Sequence, residues 1–430
     1  MSTTRTTTGT TKITTTIKKI TFTEDQLDPY VTHAPTRRWL TGPGLPGLPG
    51  DGGLLTFEAL RTDGLRTVAD STGDPEGRLA AELRDRLVIG GILGADGRSR
   101  ESVLLDGMTG EISTTYFLHD RPDLMDTRPL APSLEKLVRC ATAVDELTAL
   151  RGQFASYAGR LGPQAVTEAT RHLLAVFEDS AAGEAAKGAD GASAGLFWKL
   201  AAVIRPLALV AGPGTRSGLA LDLPVRLLDE EFGSGEIVRF EDVDFPKALT
   251  HAPTRDFLRE VGLPEEAVWF TLETDMPLQT LAEYGTDDRA DDRAGDPSGE
   301  HRLPAAAADA DRLIRLGHLL EDTSLVVDGT TGAVLTWSEP DQALRPLNAD
   351  ISTLAFTLWL IRRERALDAV HELTDAYGQL ADTMSRTLAA VDPLACAPTP
   401  DGLPYWPTVF EDETGGGLCA EYAEYAGRRP

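Results

Sequence analysis

The chain of 430 residues is poor in cysteine, in basic residues and in long apolar runs, and each shortage excludes something. Three cysteines, Cys140, Cys396 and Cys419, are too few and too scattered for a disulfide framework or a paired-cysteine zinc site, which fits a reducing compartment. Basic residues number 41 against 67 acidic ones, for a net charge of −26. A phosphate backbone would be repelled over such a surface, so nucleic-acid binding is excluded as a default, while a basic protein partner would be attracted. The longest apolar stretch, Leu196–Gly212, is interrupted by Lys199, Arg205 and Pro206 and reads as a buried helix, not a membrane span. Residues 1–16 hold ten threonines and no apolar core, so they read as a disordered arm with no secretory signal. A soluble, cytoplasmic protein is expected, with no membrane or nucleic-acid partner.

Enzymatic signatures are also missing. No G-x-x-x-x-G-K-[ST] phosphate loop occurs. Gly191-Ala-Ser-Ala-Gly195 fits G-x-S-x-G, but that mechanism needs a strand feeding a strained turn, and Gly183–Asp190 is alanine, glycine and charge. The spacings of a zinc deaminase are absent, and the seven histidines show no H-x-x-x-H pair. Neither catalysis, cofactor nor metal is expected.

What the chain does contain is a repeat. Thr-His-Ala-Pro-Thr-Arg occurs at Thr32–Arg37 and again at Thr250–Arg255, inside a fifteen-residue block with ten identities: THAPTRRWLTGPGLP against THAPTRDFLREVGLP. Upstream, without gaps, Ile20 faces Val238, Phe22 faces Phe240 and Leu27 faces Phe245. Downstream, Leu55-Thr56-Phe57-Glu58 answers Phe270-Thr271-Leu272-Glu273, and Ser102–Gly110 answers Ser324–Gly332. Two copies of one unit are therefore present. A presented surface is more easily duplicated than a catalytic site.

In the second copy, Pro253 to Val261 reads as a short helix, with Gly262 as its stop and Pro264 just beyond. Val268–Leu272, Leu313–Leu320, Ser324–Val327 and Ala333–Trp337 read as strands, and Asp328-Gly329, like Asp106-Gly107, as hairpin-turn chemistry. Asp350 and Ser133 are cap-type residues opening helices. After Asp350, the spacing of Ile351, Leu354, Ala355, Leu358, Ile361, Leu367, Val370 and Leu373 predicts a long amphipathic helix. A helix, a meandering sheet and a covering helix make an α+β domain.

The signature THAPTR-x-[aromatic]-L-x-x-x-GLP, with the apolar-acidic lead-in Val238–Phe245, resembles the SUKH superfamily of bacterial immunity proteins, in the class usually numbered as its fourth. The resemblance covers both copies. It implies two tandem α+β modules, each a mostly antiparallel twisted sheet with flanking helices, in a protein that binds and neutralises a toxin domain, often a nuclease or deaminase. The expected organisation is a threonine-rich arm (1–16), a first module (17–179), a linker with an apolar helix (180–225), a second module (226–392) and an acidic and aromatic tail (393–430). A solvated acidic loop is expected over 285–303. An adaptor or scaffold module within a cellular assembly is the alternative.

Candidate residues follow from this reading. Glu230, Glu231, Glu241, Asp242 and Asp244 cluster charge near the second module and would meet lysines or arginines of a basic toxin domain; on a lead-in strand, the same run would equally be its solvated face. Tyr405 and Trp406, if exposed, would suit a binding hot spot, or they pin the tail to its own domain. His33, Thr36, Arg37, His251, Thr254 and Arg255 read as a fold signature at a helix start, the histidine capping the helix or bonding a neighbouring strand. Trp39 and Phe257 read as core anchors, and Glu58 and Glu273 as either solvent-facing or interface carboxylates.

Overall fold

A computed structural model describes residues 19–47, 53–73, 77–178, 191–274, 276–285, 309–319, 323–398, 403–414 and 418. The threonine-rich arm and most of the acidic 285–303 loop lie outside the described residues. Contacts divide the chain into two compact units: the residues up to Ile92 together with Ser99–Arg139, and Leu93–Arg98 together with everything from Cys140 onward.

The first unit is built on an antiparallel sheet in the order Leu55–Thr56, Leu87–Leu93, Ser99–Leu105, Ile112–Thr115, Arg128–Ala131, with Arg66–Thr67 also paired to Leu87–Leu93. Val103, Leu104 and Leu105 are buried in succession, so this strand is covered on both faces and shows no alternation.

The second unit repeats the meander: Glu266–Ala267, Phe270–Leu272, Leu313–His318, Thr323–Asp328, Val334–Ser338, Ala343–Asn348, with Gln279–Thr280 paired to Leu313–His318. The α+β class expected from sequence is the class observed. Ala343–Asn348 escaped the sequence reading because Pro346 looks like a strand breaker. It is tolerated because this strand lies at the sheet edge, and a register shift falls beside it.

The helix after Asp350 runs Ile351–His371, with the Asp350 carboxylate accepting from the Ser352 and Thr353 amides at 2.9 and 3.3 Å. Ser133 serves likewise in the first copy, its hydroxyl accepting from the Lys136 amide at 3.3 Å. The expected amphipathic stripe does not hold along the long helix: Ile351–Ile361 is buried on every side, whereas Val370 is exposed. Burial is general because Leu227–Phe232, Ala252–Glu260 and Ala343–Asn348 all pack against it. Its inward hydroxyls are satisfied within the helix, Thr353 bonding the Asp350 carbonyl and Thr357 the Thr353 carbonyl. A further helix, Tyr377–Val391, buries Leu380, Met384 and Leu388 at four-residue spacing.

The apolar stretch from Leu196 is not one helix to Gly212. The helix Gly191–Ile204 gives way to a three-ten segment, Arg205–Val210, where Pro206 removes an amide. Leu200, Val203 and Ile204 join the same core as the sheet and the long helix. Of the two expectations for Tyr405 and Trp406, the structure agrees with the one that pins them to their own domain: Tyr405–Glu411 is a helix whose Trp406 and Phe410 are wholly buried in that core.

Candidate partner-binding surface

The repeated hexapeptide forms a joint. In each copy the threonine and histidine amides both donate to one glycine carbonyl in the hairpin turn: Thr32 and His33 to Gly107 at 2.9 Å, Thr250 and His251 to Gly329 at 2.8 Å. The proline follows in the first helical turn, where its missing amide costs nothing. Neither histidine ring caps its helix, contrary to one expectation. Instead Nδ1 lies 2.8 Å from the hydroxyl of Thr36 or Thr254, and the ring presses on the last glycine of the turn. A Cβ on Gly110 would stand 2.3 Å from His33 Nδ1, and one on Gly332 would stand 2.4 Å from His251 Nδ1. The two best-matched blocks of the repeat, THAPTR and D-G-x-T-G, are thus halves of one contact.

The turn itself is held by its aspartate. Burial pushes the Asp328 carboxyl up, but the amides of Thr331 and Thr330 and the Arg312 guanidinium at 3.1 Å outweigh it, so the group sits below the ordinary range. Asp106 shows the same balance, burial opposed by the Thr109 and Met108 amides and by Arg86 at 3.9 Å.

Arg37 and Arg255 tie each helix to its lead-in. Arg37 donates to Glu24, Asp28 and the Val31 carbonyl; Arg255 donates to Asp242 at 3.3 Å and lies over the Phe245 ring at 5.1 Å. The GLP tripeptide closes the element: Leu263–Pro264 pairs antiparallel with Ile237–Val238, as Leu45 bridges Ile20 in the first copy. Phe257 is buried, while Trp39 is half-buried.

The acidic lead-in is placed differently from the expectation. Only Ile237–Val238 is strand; Glu241 opens a three-ten turn, Asp242–Asp244. The Glu241 amide donates to the Asp244 carboxylate at 2.7 Å, and Asp242 takes Arg255 and Arg259 at 3.3 Å each. The turn therefore brings Glu241, Asp242 and Asp244 together. Glu230 and Glu231 belong to a separate helix, Leu227–Phe232, with Glu231 3.9 Å from Arg363.

Trp406 is removed from the candidate surface: it is 0% exposed, and its Nε1 donates to Asn348 Oδ1 at 3.0 Å. Tyr405 is half-buried and packs edge-on against it. Glu273 pairs with Arg315, which stacks over Tyr284 at 4.0 Å, whereas Glu58 pairs locally with Arg61.

A shallow groove that the sequence reading missed runs between the acidic turn and residues 276–279. Its walls include two solvent-facing apolar side chains, Val243 at 79% and Met276 at 45% exposure, over a floor of Phe245 and Leu278. Asp244 and Glu283 line it, and the Leu278 amide donates to the Asp244 carbonyl at 3.0 Å, joining its two sides. The available signal was a valine set among three acids.

Among the described residues, no group of three histidine, cysteine, aspartate or glutamate side chains could hold a metal ion, and no helix is long and apolar enough to cross a membrane. Comparison with curated proteins and with solved structures returned no match. The family described as SUKH-4 immunity protein matches twice, over residues 17–198 and 223–412, which is most of the chain and spans both copies of the repeat. By that match, the chain belongs to the SUKH-4 immunity protein family.

Proposed function

We propose that this chain is a non-catalytic immunity protein that acts in the cytoplasm, binding a cognate toxin domain, a basic nuclease or deaminase, and neutralising it by covering its active cleft. The family match over both copies carries the reading. The net charge of −26 supports it, since an acidic surface steers a basic partner and competes for a cleft built to hold a polyanion. The two histidines shared by both copies, His33 and His251, which would be the first candidates for catalysis, are engaged in the joint between helix and turn.

Co-expression tests the reading. Toxin domains encoded beside immunity genes in the source genome are expressed one by one with and without this chain. Growth is expected to be restored for one of them, with a stoichiometric complex on size-exclusion chromatography. If toxicity persists for all of them and no complex survives at low salt, the immunity reading is wrong.

A further inference from the structure

We propose that the groove between the Asp242–Asp244 turn and residues 276–279 is the toxin-docking site, that it takes a segment in which a lysine or arginine adjoins a branched aliphatic side chain, and that each chain carries one such site. The proposal rests on the immunity reading and names the face that serves it.

The comparison between copies carries the argument. Glu241, Val243 and Asp244 stand where the first copy has Thr23, Asp25 and Gln26. The turn is built alike in both: the Thr23 amide donates to the Gln26 side chain at 2.9 Å, as the Glu241 amide donates to Asp244. A solvated aspartate thus suffices at this position for the fold, and Asp25 is indeed exposed. The second copy instead spends a valine there, 79% exposed, beside Met276. An apolar side chain held in water, where the same turn folds with a charged one, contributes nothing to the turn; it has a use when a partner covers it.

Charge identifies the partner. Asp242 is neutralised by Arg255 and Arg259. Among the described residues no cation pairs with Glu241 or Asp244; Asp244 lines the groove, Glu241 is exposed on the same turn, and Lys247 is the single cation of the 241–247 run. An apolar slot under a carboxylate rim matches an aliphatic side chain next to a basic one. The first copy offers a polar turn at the same place, and so one site per chain follows.

Two variants separate the apolar and charge components without touching the fold. Val243→Ser with Met276→Ser removes both exposed walls. Asp244→Asn removes a charge but keeps an acceptor for the Glu241 amide, as Gln26 does in the first copy. The probe is the toxin domain that the co-expression screen returns, measured against the full chain by surface plasmon resonance and calorimetry. The serine pair is expected to weaken binding by about 30-fold or more, and Asp244→Asn to slow association several-fold with a shallower salt dependence, at one toxin per chain. Asp25→Ser in the first copy is expected to change nothing. Unchanged affinity in both groove variants, or two toxins per chain, overturns the proposal while leaving immunity standing. A wild-type chain that binds no toxin removes the immunity reading, and this site with it.

Discussion

Gly332→Ala tests whether the hexapeptide joint is structural. Gly332 has φ +78°, a conformation that costs an L-residue roughly 1 kcal/mol or more. Its new Cβ would stand 2.4 Å from His251 Nδ1, 2.6 Å from Cε1 and 2.9 Å from Thr254 Oγ1. The ring must retreat by about 1 Å, which breaks its 2.8 Å bond to Thr254, worth about 1 kcal/mol, and forces overpacking worth roughly 1–3 kcal/mol more. The total is about 3–5 kcal/mol, a large part of the roughly 5–15 kcal/mol that holds a domain folded. Of the six tryptophans, all but Trp39 belong to the second unit, so tryptophan fluorescence in a urea titration reports on the unit carrying the change. Adding His251→Ala removes the clash and should recover all but roughly 1–2 kcal/mol. Gly110→Ala, with its Cβ 2.3 Å from His33 Nδ1, should behave alike in the first unit. A loss under about 1 kcal/mol for Gly332→Ala, or no recovery on removing the ring, would refute the joint as described.

Trp406→Phe keeps most of the buried volume but leaves the Asn348 carbonyl oxygen without its indole donor; a loss of about 2–3 kcal/mol is expected by urea unfolding, and a neutral result would return the helix Tyr405–Glu411 to the status of a tail. Glu364 is 0% exposed, and burial, then the neighbouring Asp368 charge, push its carboxyl well above the ordinary value. The folded state therefore keeps a proton that the unfolded chain releases, so its contribution favours low pH and is lost as pH rises above about 4.5. Glu364→Gln should remove that dependence and raise the melting temperature at neutral pH. Asp328 has the opposite sign: its carboxyl is lowered on folding, so its stabilisation is present at neutral pH and is lost as pH falls through its folded value. Asp328→Asn should lower stability at pH 7 and flatten the acid limb of the melting profile. Gly262→Ala would set a Cβ 2.3 Å from the Val238 carbonyl oxygen at φ +79°, and because backbone cannot step aside as a ring can, its loss should match or exceed that of Gly332→Ala in the same titration.

The sequence alone already determined the duplication, the α+β class, the helices opened by His251 and Asp350 and the hairpin at Asp328-Gly329, because periodicity, proline and glycine placement and turn chemistry are local properties. Local patterns carry no information about what packs on the far side. Ile351–Ile361 therefore looked amphipathic and is enclosed, Pro346 hid an edge strand, and the choice between hot spot and internal anchor for Tyr405-Trp406 stayed open until Trp406 was seen to fill the core. The candidate surface divided the same way. The acidic residues of the lead-in were legible as charge, but only the fold shows Asp242 consumed by Arg255 and Arg259, and Val243 brought beside Met276, which lies more than thirty residues further along the chain. Tertiary structure alone also joined THAPTR to D-G-x-T-G, two sequence blocks that had no visible reason to repeat together until one glycine carbonyl was seen to accept both amides.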